Sequence, residues 1–165
     1  MPLVPAVTDI NQLKDRLEVA RLLDWNPAAV ASAKYDRNEL TIWIDRQHLL
    51  DAMTLLRDDS QLRFNLLCDV TCVDWYPSEP RFEVVYELRS IPRNKRVRVK
   101  VKLTSDDARI SSVINVWPSS NFFEREVFDL FGVYFEGHPY LQRIMMPEDW
   151  EGHPMRKDYP VEGYR

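Results

Sequence analysis

The sequence is short of glycine and cysteine and has no long apolar run. Four glycines in 165 residues leave no G-x-G-x-x-G and no G-x-x-x-x-G-K-[ST]. That excludes the phosphate-cradling turns of dinucleotide-binding and P-loop proteins. Two cysteines, Cys68 and Cys72, fall short of the about four thiolates that hold an iron–sulfur cluster, so the chain is not expected to carry a cluster alone. No G-x-S-x-G elbow offers a serine nucleophile. No stretch approaches the roughly 18 consecutive apolar residues needed to span a bilayer. The opening Met1-Pro2-Leu3-Val4-Pro5 has neither the basic nor the apolar region of a secretory signal, and two thiols without such a signal read as reduced. The expected location is therefore the cytoplasm or an equivalent compartment, with any membrane association borrowed from partners.

Positive charge is also in deficit. The net charge is −4 and the pI about 5.4, which argues against general nucleic-acid binding, a process driven by phosphate neutralisation. What is present is a 45% hydrophobic and 29% charged composition, enough for one packed domain. Eleven prolines and five tryptophans suit a chain that presents rigid, non-repetitive surface to a neighbour.

Periodicity divides the chain. Residues 9–23 read as an amphipathic helix, with Asp9 as cap, Gln12 in capping-box register, and Ile10, Leu13, Leu17 and Ala20 on one face. Residues 30–35 and 39–44 read as two strands about Asp36-Arg37-Asn38, because Leu40, Ile42 and Ile44 alternate with Thr41 and Trp43. A helix follows over 45–57, then an apolar strand over 66–75 expected at the centre of the sheet. Residues 82–89 and 96–103 read as a hairpin that sets Glu87 opposite Arg98 and Glu83 opposite Lys102. A further strand is expected over 112–117. A short helix is expected over 121–131, with Asn121 as cap and Gly132 just past its end. From Val133 onward prolines and glycines interrupt any period. The pattern is α+β: a mixed, mostly antiparallel sheet flanked by helices over 1–132, then an extended irregular tail over 133–165.

Chemistry is scarce. Cys68, Cys72, His138 and His153 are residue types that ligate zinc, but Cys68 and Cys72, on one face of a strand rather than on a tight knuckle, read instead as two buried thiols. Glu124, Glu126 and Asp129 share a short helix, where Arg125–Asp129 at i, i+4 and acids near the helix start supply a structural account. The basic stripe Arg96, Arg98, Lys100, Lys102 can meet phosphate, or can simply pair with Glu83 and Glu87 and blunt a sheet edge. In the tail, Arg143, Arg156, Lys157 and Arg165 interleave with Trp150, Tyr159 and Tyr164. These are residue types enriched at interface hot spots, here on a proline-fixed segment that loses little entropy on docking.

The run Glu124-Arg125-Glu126-Val127-Phe128-Asp129-Leu130-Phe131-Gly132-Val133 resembles the E-R-E-x-x-D-L-F-G-[VI] signature of the 30-kDa subunit family of respiratory complex I, the proton-pumping NADH:quinone oxidoreductase. The likeness continues through Phe135, Gly137-His138-Pro139, Leu141, Arg143-Ile144, Pro147, Asp149-Trp150, Gly152-His153-Pro154 and Arg156-Lys157-Asp158-Tyr159-Pro160. It implies an α+β subunit of the hydrophilic arm that carries no cofactor itself, with FMN and iron–sulfur clusters in partner subunits. It further implies contact with the 49-kDa subunit near the quinone-reducing end, and with other hydrophilic-arm subunits, through a tail bearing Arg143, Trp150, His153, Arg156, Lys157 and Tyr159. The assembly would pass electrons from NADH to quinone, coupled to proton translocation, on the cytoplasmic side of the inner membrane. The same module in a membrane-bound hydrogenase or ferredoxin-dependent relative, or a stand-alone zinc protein, are the alternatives.

Overall fold

The computed structural model describes residues 5–163, so the readings at Met1–Val4 and at Tyr164 and Arg165 lie outside the described residues. The expected first helix is two: α1 (Ile10–Leu13) and α2 (Leu17–Trp25). Asp9 does cap α1, accepting the Asn11 N–H at 2.9 Å. The helical line breaks at Arg16, whose backbone is extended and whose guanidinium stands 3.3 Å over the Tyr35 ring. A cation–π contact with the neighbouring strand thus occupies the residue that would have joined the two helices.

Strands β1 (Val30–Asp36) and β2 (Glu39–Ile44) meet at Arg37-Asn38, both with positive φ (50° and 66°), the two-residue loop whose twist suits a hairpin. Asp45 accepts the Gln47 N–H and opens a 3₁₀ turn over Arg46–His48; α3 (Leu49–Asp58) begins after it rather than at 45. Strands β3 (Leu66–Asp74), β4 (Phe82–Ser90) and β5 (Lys95–Leu103) complete a sheet of order β1-β2-β5-β4-β3, in which only the β2–β5 pairing is parallel. The fold is α+β with a mostly antiparallel sheet, as the sequence pattern indicates. A second, two-stranded sheet pairs β6 (Arg109–Ser111) in parallel with β7 (Tyr134–Glu136), and α4 (Ser120–Phe131) lies between them in sequence.

The hairpin register is the expected one, with Glu83 opposite Lys102 and Glu87 opposite Arg98. The ion pairs run slightly differently. Glu87 takes Arg98, but Glu83 takes Lys100 at 2.7 Å and the Trp43 indole N–H at 2.7 Å. β5 is also no edge: it lies between β2 and β4. Conversely β3, expected at the centre, is an edge strand, and Leu67, Val70 and Cys72 on it are buried while α4 packs against the strand. A register shift between Leu67 and Asp69 turns Leu67 and Val70 both into the core. It leaves Cys68 exposed while Cys72 stays buried. Without the bulge, strict alternation would have put both thiols on one face.

Residues 112–117 form turns rather than a strand. The Ser112 N–H still meets the Glu136 carbonyl of β7 at 2.8 Å, but the Glu124 carboxylate takes the Ser112 hydroxyl at 2.5 Å and the Val113 N–H at 2.8 Å, and the ladder ends there. One face of the main sheet carries Leu40, Ile42, Val99, Val101, Val84 and Tyr86 into a core shared with Leu22, Met53 and Leu56 from the helices. Ile42, on β2 opposite Val99, is fully buried. Ile42→Ala should lower the free energy of unfolding by about 2–5 kcal/mol, read from a urea titration of the purified chain.

Candidate partner-docking site

An α-helix ends with four carbonyls that have no partner inside it. At the end of α4 every one of them is met. The Phe128 carbonyl accepts the N–H of Gly132, which sits in the left-handed region at φ 75°. The Asp129 carbonyl accepts Arg143 Nη1 at 3.2 Å and His153 Nδ1 at 2.9 Å. The Leu130 carbonyl accepts the Met155 N–H at 3.1 Å, and the Phe131 carbonyl accepts Arg156 Nε at 2.6 Å. The segment after β7 therefore lies on its own domain and finishes the helix, with two arginines at the negative end of its dipole.

Side chains of α4 reinforce this. Asp129 is fully buried; its Oδ2 accepts three successive amides, Ile144, Met145 and Met146, at 2.7–2.9 Å, and its Oδ1 takes Arg143 at 2.5 Å. Burial alone would raise this carboxyl's pKa; those four donors outweigh burial and hold it below the ordinary carboxylate value. Arg125 reaches the Gln142 and Arg143 carbonyls at 3.1 Å. The expected Arg125–Asp129 pair thus does not form, because each side chain is taken by the segment crossing the helix. Glu124, by contrast, is pushed up by burial against the bonds from Ser112 and Val113. Arg143 further donates to the Trp150 and Gly152 carbonyls at 3.0 Å, so it braces the turn around Trp150.

A second clamp fixes the far end. Arg81 makes a two-pronged contact with Asp74 (2.8 and 2.9 Å) and another with Asp158 (2.6 and 2.9 Å), between the rings of Tyr76 and Phe82. Asp74 also accepts the Lys157 N–H and the Tyr76 N–H at 2.9 Å. Burial opposes ionisation of Asp74, yet the Arg81 contact and the two amides outweigh it and bring its pKa to about 2. Gly132 is required where the crossing segment passes over the helix end: a Cβ there would come within 3.0 Å of Arg156 and His153.

Of the six residues expected at a partner interface, the structure brings Arg143, His153 and Arg156 inward onto α4, while Trp150 and Lys157 are exposed and Tyr159 is half-buried. The four zinc-type residues do not converge. His138 accepts the Tyr140 N–H and faces the Asn121 carbonyl, His153 is bonded to the Asp129 carbonyl, and Cys72 is pushed by burial up to about 12. Among the described residues no group of three His, Cys, Asp or Glu is placed to hold a metal. The residues that sequence reasoning missed are Asp74 and Arg81, far from the tail in sequence. The sole hint was a carboxylate and an arginine flanking a proline-rich loop between apolar strands.

The exposed side of this segment carries several large apolar side chains. Tyr140, Ile144, Met145, Trp150, Met155 and Val161 are all well exposed. Arg143 and Arg156 are spent beneath the segment, while Glu148, Asp149, Glu151 and Glu162 stand exposed among these apolar side chains, a mixed surface of the kind that meets partners.

Two outcomes follow. Asp129→Ala leaves Arg143 without its buried partner and three amides unmet, at about 3–5 kcal/mol. Limited trypsin digestion should then cut at Arg143, Arg156 and Lys157 much faster than in the parent chain, while circular dichroism still reports the sheet. Asp74, with its pKa lowered from 3.8 to about 2, contributes stability that is complete above pH 4 or so. That contribution is lost as pH falls toward 2, and amounts to about 2 kcal/mol. Asp74→Asn should be less stable at neutral pH and show a flatter acid limb in pH-dependent thermal melts.

Comparison with known proteins agrees on one family. The family model of the respiratory-chain NADH dehydrogenase 30-kDa subunit matches residues 42–165. An NADH-quinone oxidoreductase subunit of Citrifermentans bemidjiense is 49% identical over 127 residues, covering 77% of this chain and 78% of that one. Its counterpart of the same name in Acidothermus cellulolyticus is 46% identical over 157 residues, 93% of this chain and 79% of that one. Against the Saccharopolyspora erythraea protein of the same name, 46% identical, the chain spans about half of the relative's length (55%). Among solved structures, a trypsin-resistant fragment of Nqo5 superposes with TM-score 0.65 at 33% identity, covering 76% of this chain and all of the fragment. A chain of the archaeal membrane-bound sulfane sulfur reductase gives TM-score 0.73 at 29% identity, over 87% of this chain and 84% of that one. No helix among the described residues is long and apolar enough to cross a membrane. The chain belongs to the 30-kDa subunit family of respiratory-chain NADH dehydrogenase, a constituent of NADH-quinone oxidoreductase.

Proposed function

We propose that this chain is a non-catalytic, cofactor-free subunit of the hydrophilic arm, docked on the 49-kDa subunit on the cytoplasmic side of the membrane. Flavin and iron–sulfur clusters reside in partner subunits. The chain supports electron transfer from NADH to quinone, coupled to proton translocation, by shaping and holding the assembly. The observation that carries this reading is the set of large apolar side chains exposed along residues 140–161, on a backbone fixed from beneath by the α4 carbonyl contacts. A preformed surface loses little conformational freedom on docking. In this reading Trp150, Lys157 and Tyr159 meet the partner, and Arg143, His153 and Arg156 hold them in place. The titratable groups fit a role without chemistry: Cys72 is a thiol at neutral pH, and His138 and His153 are both bonded to backbone.

The likeness to a chain of the sulfane sulfur reductase favours one second reading, the equivalent subunit of a related membrane-bound complex. Tagging the chain in its native host and identifying what co-purifies separates the two. Recovery of NADH-oxidising, flavin-bearing subunits together with quinone reductase activity is expected. Recovery with a hydrogenase- or sulfur-reducing set supports the second reading, and recovery of a lone monomer overturns both. Trp150→Ala should weaken recovery of the partner by about 2 kcal/mol of docking energy. The isolated chain's unfolding free energy should change by less than about 0.5 kcal/mol. An equal loss of isolated-chain stability would remove Trp150 from the interface.

A further inference from the structure

The β1–β2 turn, the β4–β5 turn and the junction of α1 with α2 lie at one end of the sheet. Between them opens a trough of about 820 Å³. Its cations are Arg16, Arg37, Arg89, Arg93, Lys95 and Arg96, against three carboxylates, Asp15, Glu18 and Glu39. Two of those carboxylates are already engaged. Glu18 takes Arg93 at 3.3 Å, and Glu39 takes Arg98 at 3.1 Å from the adjoining face. Arg16 is set by its contact with Tyr35, and Arg89 holds Asn94 at 2.9 Å while its buried Nε has no partner. Arg37, Lys95 and Arg96 are exposed and make no ion pair among the described residues. This concentration of positive charge stands on a chain whose net charge is −4.

Arg37 adds a second, independent observation. It is the first central residue of the β1–β2 loop, at φ 50°, where asparagine, aspartate or glycine is the residue that fits. The backbone does not account for an arginine there, whereas a charge aimed over the trough does. The cations also come from three separate segments around an open trough rather than converging on one point. A single small anion needs convergent donors. An extended acidic chain, which places same-side carboxylates ~7 Å apart, matches distributed ones.

We propose that this trough docks an acidic peptide segment of a neighbouring subunit. The proposal rests on the reading of the chain as a subunit of a larger complex, and it places a second contact at the opposite kind of surface from the apolar tail. Opposite charge at such a rim sets orientation and speeds encounter.

The test uses the purified full chain and a fluorescein-labelled peptide alternating glutamate with serine, followed by anisotropy at low ionic strength. Saturable binding is expected, lost by about 0.5 M salt. Arg37→Glu with Arg96→Glu should weaken it at least about tenfold, and the charge-matched pair Arg63→Glu with Arg109→Glu should leave it nearly unchanged. Arg37→Gly with Arg96→Gln guards against misfolding. Glycine suits the positive φ, so the melting temperature should hold or rise, yet peptide binding should fall. Equal loss in the charge-matched pair, no loss in the trough variants, or a trough that binds pyrophosphate but not the peptide each overturns the proposal. Failure of the subunit reading shows separately, as absence of redox partners from a native purification of the parent chain.

Discussion

The end of α4 is the constraint on which the outer half of the molecule depends. Four carbonyls leave a helix unpartnered, and here they lie at the surface of the domain. A helix can end on water or on a short glycine turn. This one uses Gly132 for the first carbonyl only and hands the other three to residues 143–156. That choice makes the irregular segment part of the fold. It also suits the arginines at positions 143 and 156. A planar guanidinium presents several donors at fixed angles, and Arg143 spreads two nitrogens over Asp129, Trp150 and Gly152.

The same logic governs Asp129 and Arg81, two buried charges that look costly in isolation. Each is satisfied almost completely. Asp129 accepts three amides and an arginine; Arg81 has both edges of its guanidinium on carboxylates and stands between aromatic rings. One clamp binds the segment to α4 and the other binds it to the sheet through Asp74. Between the two the chain has neither helix nor strand, yet its path is fixed by directional bonds. Rigidity of that kind leaves apolar side chains outward without letting them collapse onto the domain.

How much of this was legible follows from the range of each interaction. The hairpin register was readable because Glu83, Glu87, Arg98 and Lys102 sit on strands joined by a short loop. Gly132 was readable as a helix terminator because a positive φ at that place is a local demand. The break at Arg16 was not, since it depends on Tyr35 in another element. Nor was the edge position of β3, because the helix that covers its apolar face arrives some fifty residues later in sequence. Arg125–Asp129 was misread for the same reason: i, i+4 spacing supplies a fraction of a kcal/mol, and buried contacts to a crossing segment outweigh it. At the candidate site, residue types singled out residues 143–159. Which of its side chains face in and which face out is set by the carbonyls they meet, and those appear only in three dimensions.

The signature of the family can now be given a physical content. Glu124 organises the 112–113 turn, Arg125 and Asp129 grip residues 142–146, and Gly132 clears the space over which His153 and Arg156 pass. Their burial and their hydrogen bonds are those of a scaffold, and the cost of assembling it is met within the chain before any partner arrives. On the reading proposed above, such a subunit offers two surfaces to its complex. The exposed apolar side chains of residues 140–161 would contribute affinity through desolvation. The basic trough at the end of the sheet would contribute orientation through charge. The two lie on different elements and obey different physics, so salt weakens the second and leaves the first nearly intact.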